Sequence, residues 1–291
     1  MSVTTFDKRN AVLNYIEVLK PRETSLLLFI GACSAIIAFG GYSNFPVNVF
    51  VLTVITIALG SAGCNGLTNY LDREVDARAR RTWNRVLPSK RIYPPQKVLP
   101  LIIGLIIVAL ALAYILNPFC FLFGLIGTIA SAIWRKTVSC TFFGIVAGCS
   151  PVLIGWFALR PQFDVSILLI CLLVAFWIPI HIWSVMIANR EDYLNAGLNY
   201  FPLNLKVKDT VKILFVLSLF LCVVSIFLYI FAGFGLLYLI VAAVLDILMI
   251  CASVRLLFFA TSLAAWQLYK LSSFPYLGIV FLIMCLDTLL M

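Results

Sequence analysis

The stretch NGLTNYLDREVDARARRTWNRVLP, from Asn65 to Pro88, decides how the chain is read. It begins as the end of an apolar helix and passes without a break into the most highly charged segment of the protein. At about 100° per residue, Asn65, Asn69, Asp72 and Asp76 fall at about 0°, 40°, −20° and 20° around a helix axis. Two carboxamides and two carboxylates therefore share one narrow face. Carboxylates at membrane depth are costly and mark function, so this face is expected to look away from lipid. Two carboxylates one turn apart can hold Mg²⁺ through oxygen ligands while leaving coordination positions for substrate phosphates. Arg78, Arg80, Arg81, Arg85, Lys90 and Arg91 follow as complementary cations. Arg81 and Arg85 are expected to grip a diphosphate, because a guanidinium matches phosphate oxygens two at a time. Metal and cations together would draw off a diphosphate leaving group as charge develops on it.

The rest of the chain is a membrane scaffold for this patch. Of 291 residues, 63% are hydrophobic and 11% charged, and the mean hydropathy is +1.09, which excludes an ordinary soluble core. An all-α, polytopic membrane protein of about nine spans is expected, near 25–41, 48–68, 98–116, 119–134, 141–159, 166–187, 211–231, 235–253 and 272–290. Helices satisfy their own backbone hydrogen bonds in lipid. Residues 255–270 either extend the eighth span or lie at the interface. Basic residues gather before the first span (Lys8, Arg9, Lys20, Arg22) and in alternate loops (Arg73 to Lys97, Arg135 and Lys136, Arg190 to Lys212, Arg255 and Lys270), and the intervening loops hold only Arg160. This asymmetry predicts that the charged loops and the amphipathic segment 1–22 lie on the cytoplasmic face of the cell membrane. The start of the chain lacks the apolar run of a signal peptide. The net charge of +9 is thus topology first and attraction to anionic lipid or a phosphorylated substrate second, and no nucleic acid partner is expected. Nine scattered cysteines, without a CxxC pair or a Cys/His cluster, read as small packing residues.

Further positions carry open readings. In Lys20-Pro21-Arg22, Arg22 either anchors at the headgroup level or points toward an anionic ligand. Arg135 and Lys136 either set topology or extend a diphosphate clamp. The fifth span holds Gly144, Gly148 and Gly155, which allow close helix approach, and Pro151, which can bend the helix. The sixth contains FWIPIHIW, Phe176 to Trp183, with the sole histidine, His181, between Trp177 and Trp183. A lone intramembrane histidine is either a packed, hydrogen-bonded residue or a contact for an acceptor substrate. Glu191 and Asp192 follow as a second acidic cluster. Spans two and six thus end alike, four spans apart. This predicts two similar four-helix halves around a central cavity, their acidic ends converging on one site with a second metal. Asp246 and Asp287 lie within later spans.

The chain resembles the UbiA-type intramembrane prenyltransferases, and within them the protoheme IX farnesyltransferase (haem O synthase) branch, over most of its length. Asp72 and Asp76 match the paired aspartates of the family's NxxxDxxxD motif, and Arg81-Thr82 with Arg85 match the RTxxR element of the branch. Lys20 to Arg22 match its KPR, GCSPVLIGWFA from Gly148 to Ala158 its GxxPxLxGWxA, and Trp177 to Trp183 with Asp192 to Gly197 its WxPxHxW and DYxxAG runs. The chain departs at Thr68, where the motif has asparagine and Asn69 and Asn65 are the nearest carboxamides. It also departs at Ala79, at Ala188, and at Tyr200-Phe201 before Pro202. The resemblance implies one transmembrane prenyltransferase domain over 1–291, with Mg²⁺ at Asp72, Asp76, Glu191 and Asp192, supported by Asn69 and Asn65. It further implies diphosphate contacts from Arg81, Arg85, Lys90, Arg22, Arg135 and Lys136, and acceptor contacts from His181, Trp177, Trp183 and Tyr193. The implied reaction, in the lipid bilayer, moves a farnesyl group from farnesyl diphosphate to a vinyl carbon of haem b. Two competing readings are a relative acting on a quinone precursor or lipid, and a transporter. A transporter keeps its polar residues near the midplane at broken helices, unlike carboxylates at span ends.

Overall fold

The computed structural model describes residues 8–41, 44–133 and 140–290, with side chains from residue 11 onward. A short helix, α1 (Lys8–Val18), precedes the spans α2 (Pro21–Phe39), α3 (Val47–Asp76), α4 (Leu99–Leu116), α5 (Pro118–Ile133), α6 (Cys140–Leu159) and α7 (Val165–Ala188). After the one-and-a-half-turn α8 (Arg190–Asn195) come α9 (Val207–Phe231), α10 (Leu236–Phe259), α11 (Ser262–Leu271) and α12 (Ile279–Leu290). No strand occurs among the described residues. Eight of the helical stretches are long and apolar enough to cross a membrane, and Pro118–Ile133 is a shorter ninth. That agrees with the hydropathy reading.

The first part of residues 255–270 extends the eighth span, as one of the two expectations has it, and the remainder does not. α10 runs on to Phe259 and stops at Ala260, which takes a left-handed backbone (φ 47°) without being glycine. Thr261 then caps α11 by accepting from the Ala264 N–H at 3.2 Å, so the second half of the segment starts the last span. A kinked stretch, Ser272–Gly278, joins α11 to α12 where Ser273 leaves helical geometry (ψ −143°).

The spans form a ring. Successive helices pack as neighbours from α2 to α7, then α7 on α9, α9 on α10, and α10 on α11 and α12, and α12 closes against α2. Across the ring α2 crosses α6 closely. A Cβ on Gly155 would overlap the carbonyl oxygen of Gly31, and one on Gly31 would come within 2.8 Å of the Pro151 carbonyl oxygen. The small-residue reading of the fifth span thus has a specific partner. Outside, residues such as Phe258, Tyr114 and Ile115 stay more than half exposed, as a lipid-facing surface requires.

α3 positions the charged patch. Its 30 residues extend for about 45 Å at 1.5 Å each, longer than a hydrocarbon core of about 30 Å. That is long enough for its last turns, with Asp72 and Asp76, to reach past the lipid without the helix breaking. The loop behind them folds as a small separate core in which Val86, Leu87 and Ile92 pack with Val18, Val98 and Ile102. Arg91 clamps α1 to this loop, reaching both Glu17 oxygens at 2.7 Å and Asn14 Oδ1 at 3.1 Å. Val12, Leu13 and Ile16 remain exposed on the other side of α1, which suits a helix lying on a bilayer surface.

Candidate functional site

The polar face of α3 is covered by the turn between α1 and α2. Asn65 Nδ2 donates to Thr24 Oγ1 at 3.0 Å, and Asn69 Nδ2 to the Val18 carbonyl at 2.6 Å. Buried Asn69 Oδ1 has no hydrogen-bond partner among the described residues. Thr68, at the position of the family asparagine, accepts from Lys20 Nζ at 3.3 Å. Proline excludes the residue before it from the helical region. Lys20 leaves the helical region, though with a left-handed backbone (φ 49°) in place of the extended one a following proline favours, and its ammonium turns in toward α3. Burial pushes the Lys20 pKa down to about 8, Arg85 adds to the shift, and Glu23, Asp76 and Asp72 oppose it. Arg22, by contrast, is exposed, and its field reaches His181. The inward cation of the KPR element is thus the lysine. Replacing Lys20 with methionine should raise the KM for a prenyl diphosphate about tenfold, the worth of one charged hydrogen bond, and leave the acceptor KM unchanged in steady-state assays.

Asp76 is fully buried at the end of α3 and accepts from Arg85 Nη1 at 2.7 Å. Thr82 Oγ1 donates to the Asp76 carbonyl at 2.9 Å, so the arginine–threonine element folds back over the helix end. Asp72 is half-buried, within electrostatic reach of Lys20 and Tyr200. Burial holds the Tyr200 phenol well above its usual range, helped by Cys140, Tyr193 and Asp72; a phenol so placed stays a hydrogen-bond donor.

The second acidic segment arrives at the same place in a different role. Asp192 accepts from the backbone N–H groups of Arg80 at 2.5 Å and Arg81 at 3.0 Å, one with each oxygen. Arg81 Nη2 donates to Tyr193 Oη at 3.0 Å, and its guanidinium lies 5.8 Å from that ring's centre. Glu191 and Asp192 line a surface cleft of about 640 Å³ with Arg78, Arg80, Arg190 and Trp83. The two chain segments converge as expected, but their carboxylates are not pooled. No group of three metal-binding His, Cys, Asp or Glu side chains occurs among the described residues. Asp72, Asp76 and the unpartnered Asn69 oxygen still form an oxygen donor set that suits a hard cation completing its shell with phosphate and water. Lys90 is exposed on the loop, and Arg135 and Lys136 lie outside the described residues.

The residues expected to contact an acceptor divide between two faces of α7. Trp177 and His181, one turn apart, stack at 4.9 Å, and Tyr269 of α11 covers the other side of the imidazole at 4.6 Å. His181 Nδ1 meets Ser272 Oγ at 3.0 Å, which leaves Nε2 as the ring nitrogen that can face a ligand. Trp183 sits about 200° further round the helix, where it donates to Thr141 Oγ1 at 2.8 Å and packs edge-on against Phe201 at 5.0 Å. Tyr193 belongs with Arg81. Trp183→Phe should therefore cost about 1 kcal/mol of stability, the worth of a buried hydrogen bond, without changing acceptor KM. A rise in that KM would return Trp183 to the acceptor wall.

The family profile described as the UbiA prenyltransferase family matches residues 26–274. The protoheme IX farnesyltransferase of Desulforudis audaxviator is 33% identical over 287 residues, covering 96% of this chain and 89% of that one. That of Symbiobacterium thermophilum is 32% identical, covering 95% and 94%. Among solved structures, a digeranylgeranylglyceryl phosphate synthase superposes with a TM-score of 0.78 at 19% identity, over 96% of this chain and 99% of that one. A UbiA homolog from Archaeoglobus fulgidus bound to GPP and Mg²⁺ superposes with a TM-score of 0.68 at 16% identity, over 96% and 100%. At such identities the likeness is one of fold.

Proposed function

The chain belongs to the UbiA prenyltransferase family, and from that premise we propose that it transfers a farnesyl group from farnesyl diphosphate to a vinyl carbon of haem b, giving haem O. One observation carries the reading: at the end of α3 a buried aspartate, two arginines and the Asp192-Tyr193 segment are tied together just beyond the apolar part of a span. The whole length, 1–291, works as one transmembrane unit, and the distribution of lysine and arginine puts this end on the cytoplasmic side.

Asp72 and Asp76, with Asn69 Oδ1, are the oxygens that would hold Mg²⁺. Bound there, Mg²⁺ neutralises charge on the departing diphosphate. Lys20, Arg81 and Arg85 present cations to its oxygens. Until substrate arrives, Arg85 compensates the buried Asp76 carboxylate. As the C1–O bond of the farnesyl group breaks, diphosphate leaves with the electron pair. The vinyl π electrons of haem b then form the new C–C bond, water adds to the other vinyl carbon, and a proton goes to solvent. Trp177, His181 and Tyr269 form a face-to-face stack that would meet the macrocycle along its edge, and aromatic groups near an allylic cation stabilise it. Water must be kept out until the C–C bond exists.

Membranes containing the protein, given farnesyl diphosphate and haem b, should yield haem O, detected by chromatography and mass. EDTA should stop the reaction, and added Mg²⁺ should restore it. Prenylation of a quinone precursor or a lipid, with haem b untouched, would overturn the assignment.

A further inference from the structure

Asp246 lies near the middle of α10, 3% exposed, and takes no part in the site described above. Its Oδ1 accepts from the Tyr276 hydroxyl at 2.7 Å, and Ser225 and Cys222 of α9 also reach the carboxyl group. A carboxyl has two acceptor oxygens, enough to serve these groups together. It links α9, α10 and the kinked segment Ser272–Gly278 at one point inside the membrane, where such a group is costly to place.

The kinked segment is irregular, and it is tied back to α11 by the Ser272 and Ser273 hydroxyls, which both donate to the Tyr269 carbonyl, at 3.0 and 2.8 Å. Ser273 is out of helical geometry, and Pro275 has no N–H to offer the preceding turn, so the helical ladder is interrupted. It is held from outside at two places four residues apart. At one, Tyr276 is fixed by Asp246. At the other, Ser272 meets His181 Nδ1 with its hydroxyl and accepts from Trp177 Nε1 with its carbonyl. The tilt of the imidazole against Trp177 and Tyr269 thus depends on where the segment is anchored.

We infer that Asp246, acting through Tyr276, is a positioning residue for the acceptor side of the site: it fixes the register of the kink and so the orientation of His181 and Trp177. This rests on the reading of the His181–Trp177 stack as the acceptor wall. Steady-state kinetics of the whole protein in nanodiscs test it, with haem b and farnesyl diphosphate varied separately. Tyr276→Phe and Asp246→Ala should each raise the KM for haem b about fivefold, as for loss of a buried hydrogen bond, with the farnesyl diphosphate KM unchanged. Asp246→Asn retains an acceptor oxygen and should restore the wild-type value. In a His181→Ala background, Tyr276→Phe should add less than its own fivefold, since Trp177 alone is then left to be displaced. If Tyr276→Phe moves both KM values together, or lowers only the unfolding temperature, the residue serves packing alone and the inference fails. If His181→Ala itself leaves the haem b KM unchanged, the acceptor reading fails and takes this one with it. A raised KM in His181→Ala beside an unchanged one in Tyr276→Phe sinks the positioning role alone.

Discussion

Replacing Asp72 with asparagine is expected to lower farnesyl transfer about a hundred- to a thousandfold while α3 stays folded. The side chain is half-buried at the end of a helix long enough to reach past the lipid, so an isosteric amide is accommodated there. What it loses is the negative charge that fixes a divalent cation beside the leaving diphosphate, and removing one such electrostatic element typically costs a hundred- to a thousandfold in kcat. Asp76→Asn should match that loss of turnover and add a stability defect. Its carboxylate is fully buried against Arg85, whose side chain is 34% exposed, so the cation left behind is partly hydrated and the defect should be about 1–2 kcal/mol, below the cost of breaking a fully buried pair. Turnover measured at saturating Mg²⁺, beside a thermal unfolding curve for each variant, separates the two. Near wild-type turnover in both would refute the metal role of this face.

Gly155→Ala is expected to be the most damaging methyl group in the protein for stability. The added carbon would overlap the carbonyl oxygen of Gly31 in α2, and because that neighbour is backbone no rotamer change relieves it. Either α2 and α6 separate or the backbone shifts, and overpacking of this kind costs about 3 kcal/mol. Gly104→Ala in α4 is the control: nothing lies within 4 Å of its new Cβ, and alanine is the better helix former by about 1 kcal/mol. Unfolding midpoints in one detergent should fall for the first and hold or rise for the second. Equal behaviour would mean that the α2–α6 crossing is looser than its geometry.

Much of this architecture was legible in the sequence because lipid and helical periodicity leave few choices. The spans follow from apolar length. The shared face of Asn65, Asn69, Asp72 and Asp76 follows from 3.6 residues per turn once α3 is taken to run unbroken through Asp76. Contacts made across long stretches of chain were not legible. Nothing local in Asp192 announces that its oxygens will be used by N–H groups 111 and 112 residues earlier, and a carboxylate in an acidic cluster reads naturally as a metal ligand. Lys20 before Pro21 could be excluded from a helix, but the direction of its side chain depends on Thr68. The end of α10 was hidden because Ala260, not glycine, takes the left-handed turn. Trp177, His181 and Trp183 looked like one cluster in the linear text. The rotation between positions 181 and 183 sends the last of them to another neighbour.

The closure of the ring by α12 against α2 also bears on how the protein is made. α12 follows α2 by about 240 residues of synthesis, and until it is in place the wall beside α2 lacks this partner, so acyl chains are expected at that face. Docking of α12, which brings Cys285 Sγ to the Cys33 carbonyl across a separation of 252 residues, would then displace that lipid.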